Sequence, residues 1–476
     1  MAGEKLSEAI VLLELGRGVI ASTRYDMPTV ISVLREQHPQ VAGEYVSLRD
    51  QLESQDGETY QIDPQDLSDS TDYGDQRYNV SQKLEQKIQK IRKLPGFDRF
   101  LLGPDEDELK AAAIHGPIVV INVSRYRCDA LIIETSLIRA VQLPRLLIKD
   151  IRDRAQTLAN SQSLKPEIPT GLLAKLPIHA AGRHSDQSLH TVLDRAISSY
   201  SASVRALVHS RQNLLAATMP DEPGEPGNIV LVGMEKTPGQ STLRFVPQEI
   251  QELEKLCDSS QLRVIKPRPC RNDVLSALQD CKVFHFAGHG YSNPSDPSLS
   301  SLLLSDDSLT VASLIETNLQ SRRPFLAYLS ACGTGQVKHN ELLDEGLHLI
   351  SACQLAGFQH VVGTLWEVND ELCIEAAIKT YEWMQKQHMS DDSVSEALHR
   401  ASRNLRDRWI SENAMRGPGA SSKCIMTGVT KSWKDGGQVL VEQSRLGQGK
   451  AREPRDVELC DDDIPLYWVP FVHFGI

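Results

Sequence analysis

The chain has 476 residues and a net charge of −12, long enough for two domains or for one large domain with a helical extension. Hydrophobic residues at 40% and charged residues at 24% describe an ordinary globular composition, and the acidic balance argues against a general nucleic-acid binder, which would carry a basic face. No apolar run approaches a membrane span, and residues 1–18 lack the basic-then-apolar pattern of a secretory signal.

Residues 4–23 place Leu6, Ile10, Leu13, Leu15 and Ile20 near helical spacing. A second helical run follows Pro28 and ends near His38-Pro39, and a third covers 41–52. They have the form of paired helices in a small helical repeat, although no 34-residue self-similarity accompanies them. Residues 55–76 carry Asp56, Glu58, Asp63, Asp66, Asp69, Asp72 and Asp75 with no basic residue, the composition of an acidic linker. Helical periodicity returns over 77–94 and stops at Pro95-Gly96. A short helix with an acidic start is predicted over 105–113. Two β-rich runs, 118–123 and 129–133, are joined by a basic turn as a hairpin. A charged helix then runs from Leu143-Pro144 to about residue 160.

From residue 228 strands and helices alternate regularly. Strands are predicted over 229–233, 264–265, 283–288, 325–331, 360–365 and 467–474. Helices are predicted over 246–257, 271–279 (capped by Asn272 or Asp273), 311–318, 342–355, 370–387 and 393–409. Gly357 ends the fourth of these. Residues 416–454 are rich in Gly, Ser, Lys and Gln and read as a flexible insertion. The alternation implies a mostly parallel sheet covered on both faces.

Two stretches carry reactive side chains at strand ends: Val283 to Gly290 (VFHFAGHG) and Phe325 to Gly335 (FLAYLSACGTG). Each is a short apolar run that breaks into small residues. In parallel sheets the working residues gather at the carboxyl ends of the strands. One strand would therefore deliver His289 and a neighbour Cys332 to the same edge, where imidazole can draw the proton from a thiol. His285 lies inside its apolar run and reads as a buried, hydrogen-bonded residue. His285 and His289 also spell H-x-x-x-H, but that spacing converges on zinc only from a helix. Gly333-Thr334-Gly335 alone is weak evidence for phosphate binding. Cys353 and Cys373 sit on predicted helices among apolar neighbours and read as packing residues. His179 and His184 read as core and loop residues. The nine cysteines stand singly, so neither a zinc ribbon nor a disulfide framework is indicated, and a reduced, cytoplasmic compartment fits.

The wording HFAGHG, LSACGTG, DEGLHLISACQLAGFQHVVGTLWEVND and WVPFVHFG resembles the CHAT domain, a relative of the caspases and separases. The resemblance covers about 168–476, with 77–167 as a helix-and-hairpin extension and 1–54 as a helical N-terminal region, the remnant of a tetratricopeptide array in such proteins. It implies a caspase-like α/β fold, a mostly parallel sheet flanked by helices, in which His289 is general base and acid and Cys332 the nucleophile. Backbone N–H groups of Gly290 and Cys332 would hold the oxyanion. The run Gly363 to Asp370 resembles the separase loop that receives the side chain before the cut bond. That likeness puts Asp370 opposite an arginine, with Trp366 along its alkyl stem; an N-cap role for Asp370 is the plain alternative. Metacaspases carry an acidic residue two before the cysteine, where this chain has Ser330, so their specificity pattern does not transfer. The functions implied are an endopeptidase acting on protein or peptide substrates, or a catalytically silent CHAT-fold interaction or signalling module; acyl transfer to an acceptor other than water is a third. No cofactor or metal is implied, nor contact with nucleic acid or membrane. An activating protein partner would dock on the N-terminal helices.

Overall fold

The structure, a computed structural model, describes residues 6–16, 31, 34–54, 70–161, 176–182, 184, 191–201, 203–208, 211, 227–258, 262–293, 296–319, 322–331, 334, 348–366, 368–416 and 466–475. Cys332, the acidic residues 55–69, the segment 162–175, the start of the second helical run and the insertion 417–465 lie outside the described residues.

The N-terminal helices α1 (Leu6–Gly16), α2 (Pro39–Ser54) and α3 (Ser70–Ile91) serve two separate cores. Ala42 and Tyr45 of α2 pack with Ile91, Phe97 and Phe100, the Tyr45 and Phe100 rings meeting edge-on at 5.4 Å. Ile10 of α1 instead packs with α4 (Glu106–Ala112) and a three-stranded antiparallel sheet, β1 (Ile118–Val123), β2 (Cys128–Ile133) and β3 (Ile138–Gln142). Asp105 and Glu108 close a reciprocal capping box at the start of α4, the device that the acidic pattern of the sequence encodes. Sequence periodicity misses β3 because four of its five side chains are exposed, leaving no apolar signal. It also extends the acidic linker too far, since α3 begins at Ser70.

After α5 (Ile148–Ser161), the central fold is built from strands β4 (Asn228–Gly233), β5 (Arg263–Ile265), β6 (Cys281–Gly288), β10 (Leu326–Ala331), β11 (His360–Thr364) and β12 (Phe471–Gly475). Between β6 and β10 a small antiparallel sheet holds β7 (Gly290–Tyr291), β8 (Ser301–Leu303) and β9 (Ser308–Thr310). The large sheet has the order β12-β11-β10-β6-β4-β5. All its neighbours pair in parallel except β12, which closes one edge antiparallel to β11. The fold is thus a mixed α/β architecture with a mostly parallel sheet, as expected.

Every side chain of β10 and β11 is buried, because helices cover both faces. On one face Val230, Val232, Phe284, Phe286, Ala327 and Leu329 meet α7 (Arg271–Leu278), α8 (Val311–Thr317) and α9 (Leu349–Ala356). On the other, Ile229, Leu231, Val283, Leu326 and Tyr328 meet α6 (Val246–Asp258), α10 (Asp370–Lys386) and α11 (Asp391–Arg416). The alternation along each strand is the period-2 rule of a pleated sheet. Each fully buried Val, Ile, Leu or Phe among them contributes about 1.5–3 kcal/mol by leaving water.

Helix starts differ from the sequence reading in physically clear ways. Neither Asn272 nor Asp273 caps α7; its N-cap is Cys270, and the Arg271 N–H is taken by Asp306, from a distant loop, at 3.0 Å. Of the helix expected from residue 342, residues 342–347 lie outside the described residues; α9 starts at Leu349, where extended His348 and Ser351 form a capping box. Asn369, not Asp370, caps α10, its side-chain oxygen accepting the Glu371 N–H at 2.9 Å. The final strand begins at Phe471, after a turn through Trp468. Among the described residues no helix is long and apolar enough to cross a membrane, and the described cysteines form no disulfide.

Buried histidines tie the elements together. His179 donates from Nε2 to the Val469 carbonyl (2.9 Å) and accepts at Nδ1 from the Tyr200 hydroxyl (2.7 Å). His348 accepts the Ser351 N–H at Nδ1. Ser199, His473, His360 and Asp391 form a continuous chain at 2.7, 3.1 and 3.2 Å. The hydrogen bond from His360 holds the Asp391 carboxyl below its usual range, while burial pushes the His473 imidazole well below its own. Burial likewise lowers His179 and His348 to about 4. In the unfolded chain these imidazoles take up protons below about pH 6.5, which the folded chain refuses until about pH 4. Stability is therefore complete above about pH 6.5, and His179 and His348 each remove up to about 3 kcal/mol as the pH falls to about 4. Urea denaturation at pH 7.5, 6 and 4.5 checks this: the midpoint falls steadily, and His348→Asn, which keeps a cap, flattens the slope. A midpoint unchanged between pH 7.5 and 4.5 contradicts it.

Candidate active site

The last two register pairs of β6 and β10 are Ala287↔Ser330 and Gly288↔Ala331. The next residues in sequence are His289 and Cys332. The two chains thus leave the sheet side by side, from strands spaced about 4.8 Å apart. Two positions upstream of Ala287 and Ser330, the rings of His285 and Tyr328 stack at 5.1 Å on one face of the sheet. Position 332 itself lies outside the described residues. Gly288 is required at the strand end, because a Cβ there would lie 2.8 Å from the Phe286 ring and 3.0 Å from Met234.

His289 is half-buried, and its Nε2 lies 2.8 Å from the Ser241 carbonyl. A carbonyl only accepts, so Nε2 carries the proton and Nδ1 is the basic nitrogen. The Ser241 carbonyl belongs to the loop after β4, the other neighbour of β6. Sequence reasoning missed this orienting group, and nothing in the sequence marks a backbone oxygen for such a role. His285 is fully buried and fully engaged: Nε2 donates to Glu249 (3.1 Å) and Nδ1 accepts from the Tyr381 hydroxyl (3.3 Å). The two histidines thus differ in kind, one locked beneath the sheet face and one at its rim.

Gly290 opens β7 opposite Leu302. The Leu303 N–H donates to the His289 carbonyl at 3.0 Å, so 289 and 303 are a hydrogen-bonded pair. Antiparallel pairs alternate, so Gly290 and Leu302 are a non-bonded pair. The Gly290 N–H is therefore directed away from β8.

Beyond position 332 the chain is held again at Thr334, whose side chain is buried. The β10–β11 pairing ends at Tyr328↔Val362, and side chains take over from the ladder there. The Thr364 hydroxyl donates to the Ala331 carbonyl (2.8 Å), the Thr364 N–H donates to Thr334 Oγ1 (2.9 Å), and the Ile350 N–H donates to the Thr334 carbonyl (3.3 Å). Gly363 must be glycine, since a Cβ would collide with Thr334 Oγ1 and Ile350. Past β11 the Leu365 N–H donates to the Pro470 carbonyl (2.9 Å), and Trp366 is partly buried against the core on the α10 side. Asp370 is the first residue of α10. Because β6, β10 and β11 are parallel neighbours, His289, Ala331 and the 365–370 segment issue from one edge of the sheet.

The other thiols have a different character. Burial pushes Cys257 up to about 11 and Cys281 and Cys353 up to about 12. None of these is a thiolate at neutral pH.

The CHAT domain family model matches residues 140–476. No curated protein matches the chain. Among solved structures, the chain is similar to the Arg-specific cysteine proteinase gingipain R, at 9% identity and a TM-score of 0.34, over 55% of this chain and 64% of that one. A complex of the pro- and mature domains of Porphyromonas gingivalis RgpB aligns at 10% identity and a TM-score of 0.33, over 56% and 66% of the two chains. In both, the matched part spans just under two thirds of the solved chain. With a family match over most of its length, on a sheet whose adjacent strand ends lead into the histidine and cysteine motifs, the chain belongs to the CHAT domain family.

Proposed function

We propose that the chain is a cysteine endopeptidase working through a Cys332–His289 dyad. The observation that carries this reading is the shared exit of β6 and β10, whose last register pair directly precedes His289 and Cys332. His289 Nδ1 takes the thiol proton, and the thiolate attacks the peptide carbonyl carbon to form a C–S bond. The oxyanion is held by the N–H groups of Gly290 and residue 332. As the C–N bond breaks, the imidazolium returns its proton to the leaving amine; water then cleaves the thioester, releasing acid and restoring the thiol. Burial raises the thiols of Cys257, Cys281 and Cys353, which argues against any of these three as the nucleophile. Peptide or protein is the substrate, and the N-terminal helices are the surface on which an activating partner would act.

Cys332→Ala is expected to abolish cleavage of a fluorogenic peptide, and His289→Ala to lower kcat by about 10²–10⁴-fold. Both should keep the wild-type melting temperature to within a few degrees. Near wild-type turnover in either variant would remove the dyad, and turnover absent from the wild type as well would leave the interaction module as the better reading.

We further propose that the residue before the cut is arginine, received by Asp370 with Trp366 along its stem. Losing one partner of such a pair costs about 2–5 kcal/mol, or roughly thirty- to several-thousand-fold in kcat/KM. Asp370→Ala should therefore lose arginine substrates far more than neutral ones, and the wild type should prefer arginine to lysine, which cannot fork across a carboxylate. A tetrapeptide library run with both proteins decides it. A wild-type preference for aspartate would contradict this pocket while leaving the dyad intact.

A further inference from the structure

Resting on the peptidase reading of His289 and Cys332, we infer that Tyr291 and Leu303 receive the side chain that follows the cut bond and favour a large apolar residue there. Both stand beside His289 on one surface. The Leu303 N–H donates to the His289 carbonyl, Gly290 pairs with Leu302, and Tyr291 pairs with Ser301. Residues 289–291 therefore run in one unbroken register along β8. By the alternation of a pleated sheet, His289, Tyr291, Ser301 and Leu303 share a face. The reverse face carries Leu302 and Leu309, paired across β8 and β9 and fully buried in the core. His289 thus lies on the face turned away from that core, where Tyr291 is 45% exposed and Leu303 half-buried. Leu303 sits directly across from His289, at the Cα spacing of about 5.5 Å of a hydrogen-bonded pair. Tyr291 is two residues, or about 7 Å, further along the strand.

Which side of the cut bond meets this surface follows from the order of elements along the rim. The turn after β8 is fastened to the start of α7. The Ser305 N–H donates to the Pro269 carbonyl (2.9 Å), Asp306 accepts the Arg271 N–H (3.0 Å), and Asp307 pairs with the Arg271 guanidinium (3.1 Å). That stretch follows β5, which lies beyond β4 on the side of β6 away from β10. His289 thus stands between the small sheet and the strand that leads into Cys332. The segment 365–370, proposed above for the residue before the cut, leaves β11 on the opposite flank of β10. A substrate laid across the rim therefore meets that segment, then the nucleophile, then the base, then the small sheet. A base that hands its proton to the leaving amine has that amine within hydrogen-bond reach of its ring, so the residue carrying the amine continues onto Tyr291 and Leu303. A phenol ring and an isobutyl group offer apolar area and no charge. They suit leucine or phenylalanine and leave an aspartate desolvated without a partner.

The test uses the full-length chain and quenched peptides that share the tetrapeptide preferred in the library above. They continue past the cut with leucine, phenylalanine, alanine or aspartate. The same tetrapeptide as a methyl ester, from which the thiolate displaces methanol, has nothing after the cut. Wild type is expected to cleave the leucine and phenylalanine peptides about tenfold better in kcat/KM than the alanine peptide, and the aspartate peptide least. In Tyr291→Ala the leucine-to-alanine ratio should fall toward unity, and the ratio of leucine peptide to ester should fall with it. Tyr291→Phe, which keeps the ring, should retain both ratios. Leu303→Ala should lose them as Tyr291→Ala does, and it carries the comparison if Tyr291→Ala does not fold. A Tyr291→Ala or Leu303→Ala enzyme with the wild-type leucine-to-alanine ratio overturns the assignment, as does a wild type indifferent to the residue after the cut. In both cases continued peptide turnover leaves the peptidase reading standing. A wild-type chain that cleaves no peptide overturns both.

Discussion

Two parallel strands that end in register must release their chains at the same place, and in this molecule that constraint governs the candidate site. The pairing of β6 with β10 runs without a shift from Val283↔Leu326 to Gly288↔Ala331. A slip of one residue would turn every buried side chain of β10 to the opposite face. With Ala327 and Leu329 in one core and Leu326 and Tyr328 in the other, such a slip is prohibitive. The hydrophobic layers that stabilise the sheet therefore also fix which residues stand side by side at its rim. Packing and chemistry are set by one register.

What surrounds the rim is polar, but organised by depth. Beneath it, His285, Glu249 and Tyr381 satisfy one another in a buried layer, where an unpaired partner would be expensive. At the rim, His289 has one ring nitrogen tied to a carbonyl, which fixes the tautomer and leaves the other nitrogen basic. Histidines four residues apart on one strand thus differ in role because one is enclosed on all sides and the other has emerged from the sheet.

Much of this was legible in the sequence. Apolar runs such as ILE-VAL-LEU-VAL at 229–232 and the strand holding His285 announce fully buried parallel strands, and small residues after them mark where the strands end. The placement of His289 at a rim followed from the same signal. Local patterns failed where the deciding partner is distant in sequence. The Arg271 N–H is satisfied by Asp306, the Ser241 carbonyl orients His289, and β3 exists because β2 offers it an edge rather than because its own residues are apolar. The threonine contacts across β10 and β11 were invisible for a further reason: they begin where the strand pairing stops, and periodicity says nothing about where that happens.

The carbonyl of Pro470 that receives the Leu365 N–H has a consequence for the order of assembly. The strands bearing the histidine and cysteine motifs are made early, yet the segment after β11 is pinned by a residue made much later, on the approach to an edge strand that pairs antiparallel to β11. On the ribosome the rim stays unfinished until residue 470 has been added, a wait on the order of ten seconds at about 5–20 residues per second. During that interval the cysteine motif exists in the nascent chain without the completed sheet edge. The sequence order of the strands thus places a built-in delay between synthesis of the histidine and cysteine motifs and closure of the sheet edge next to them.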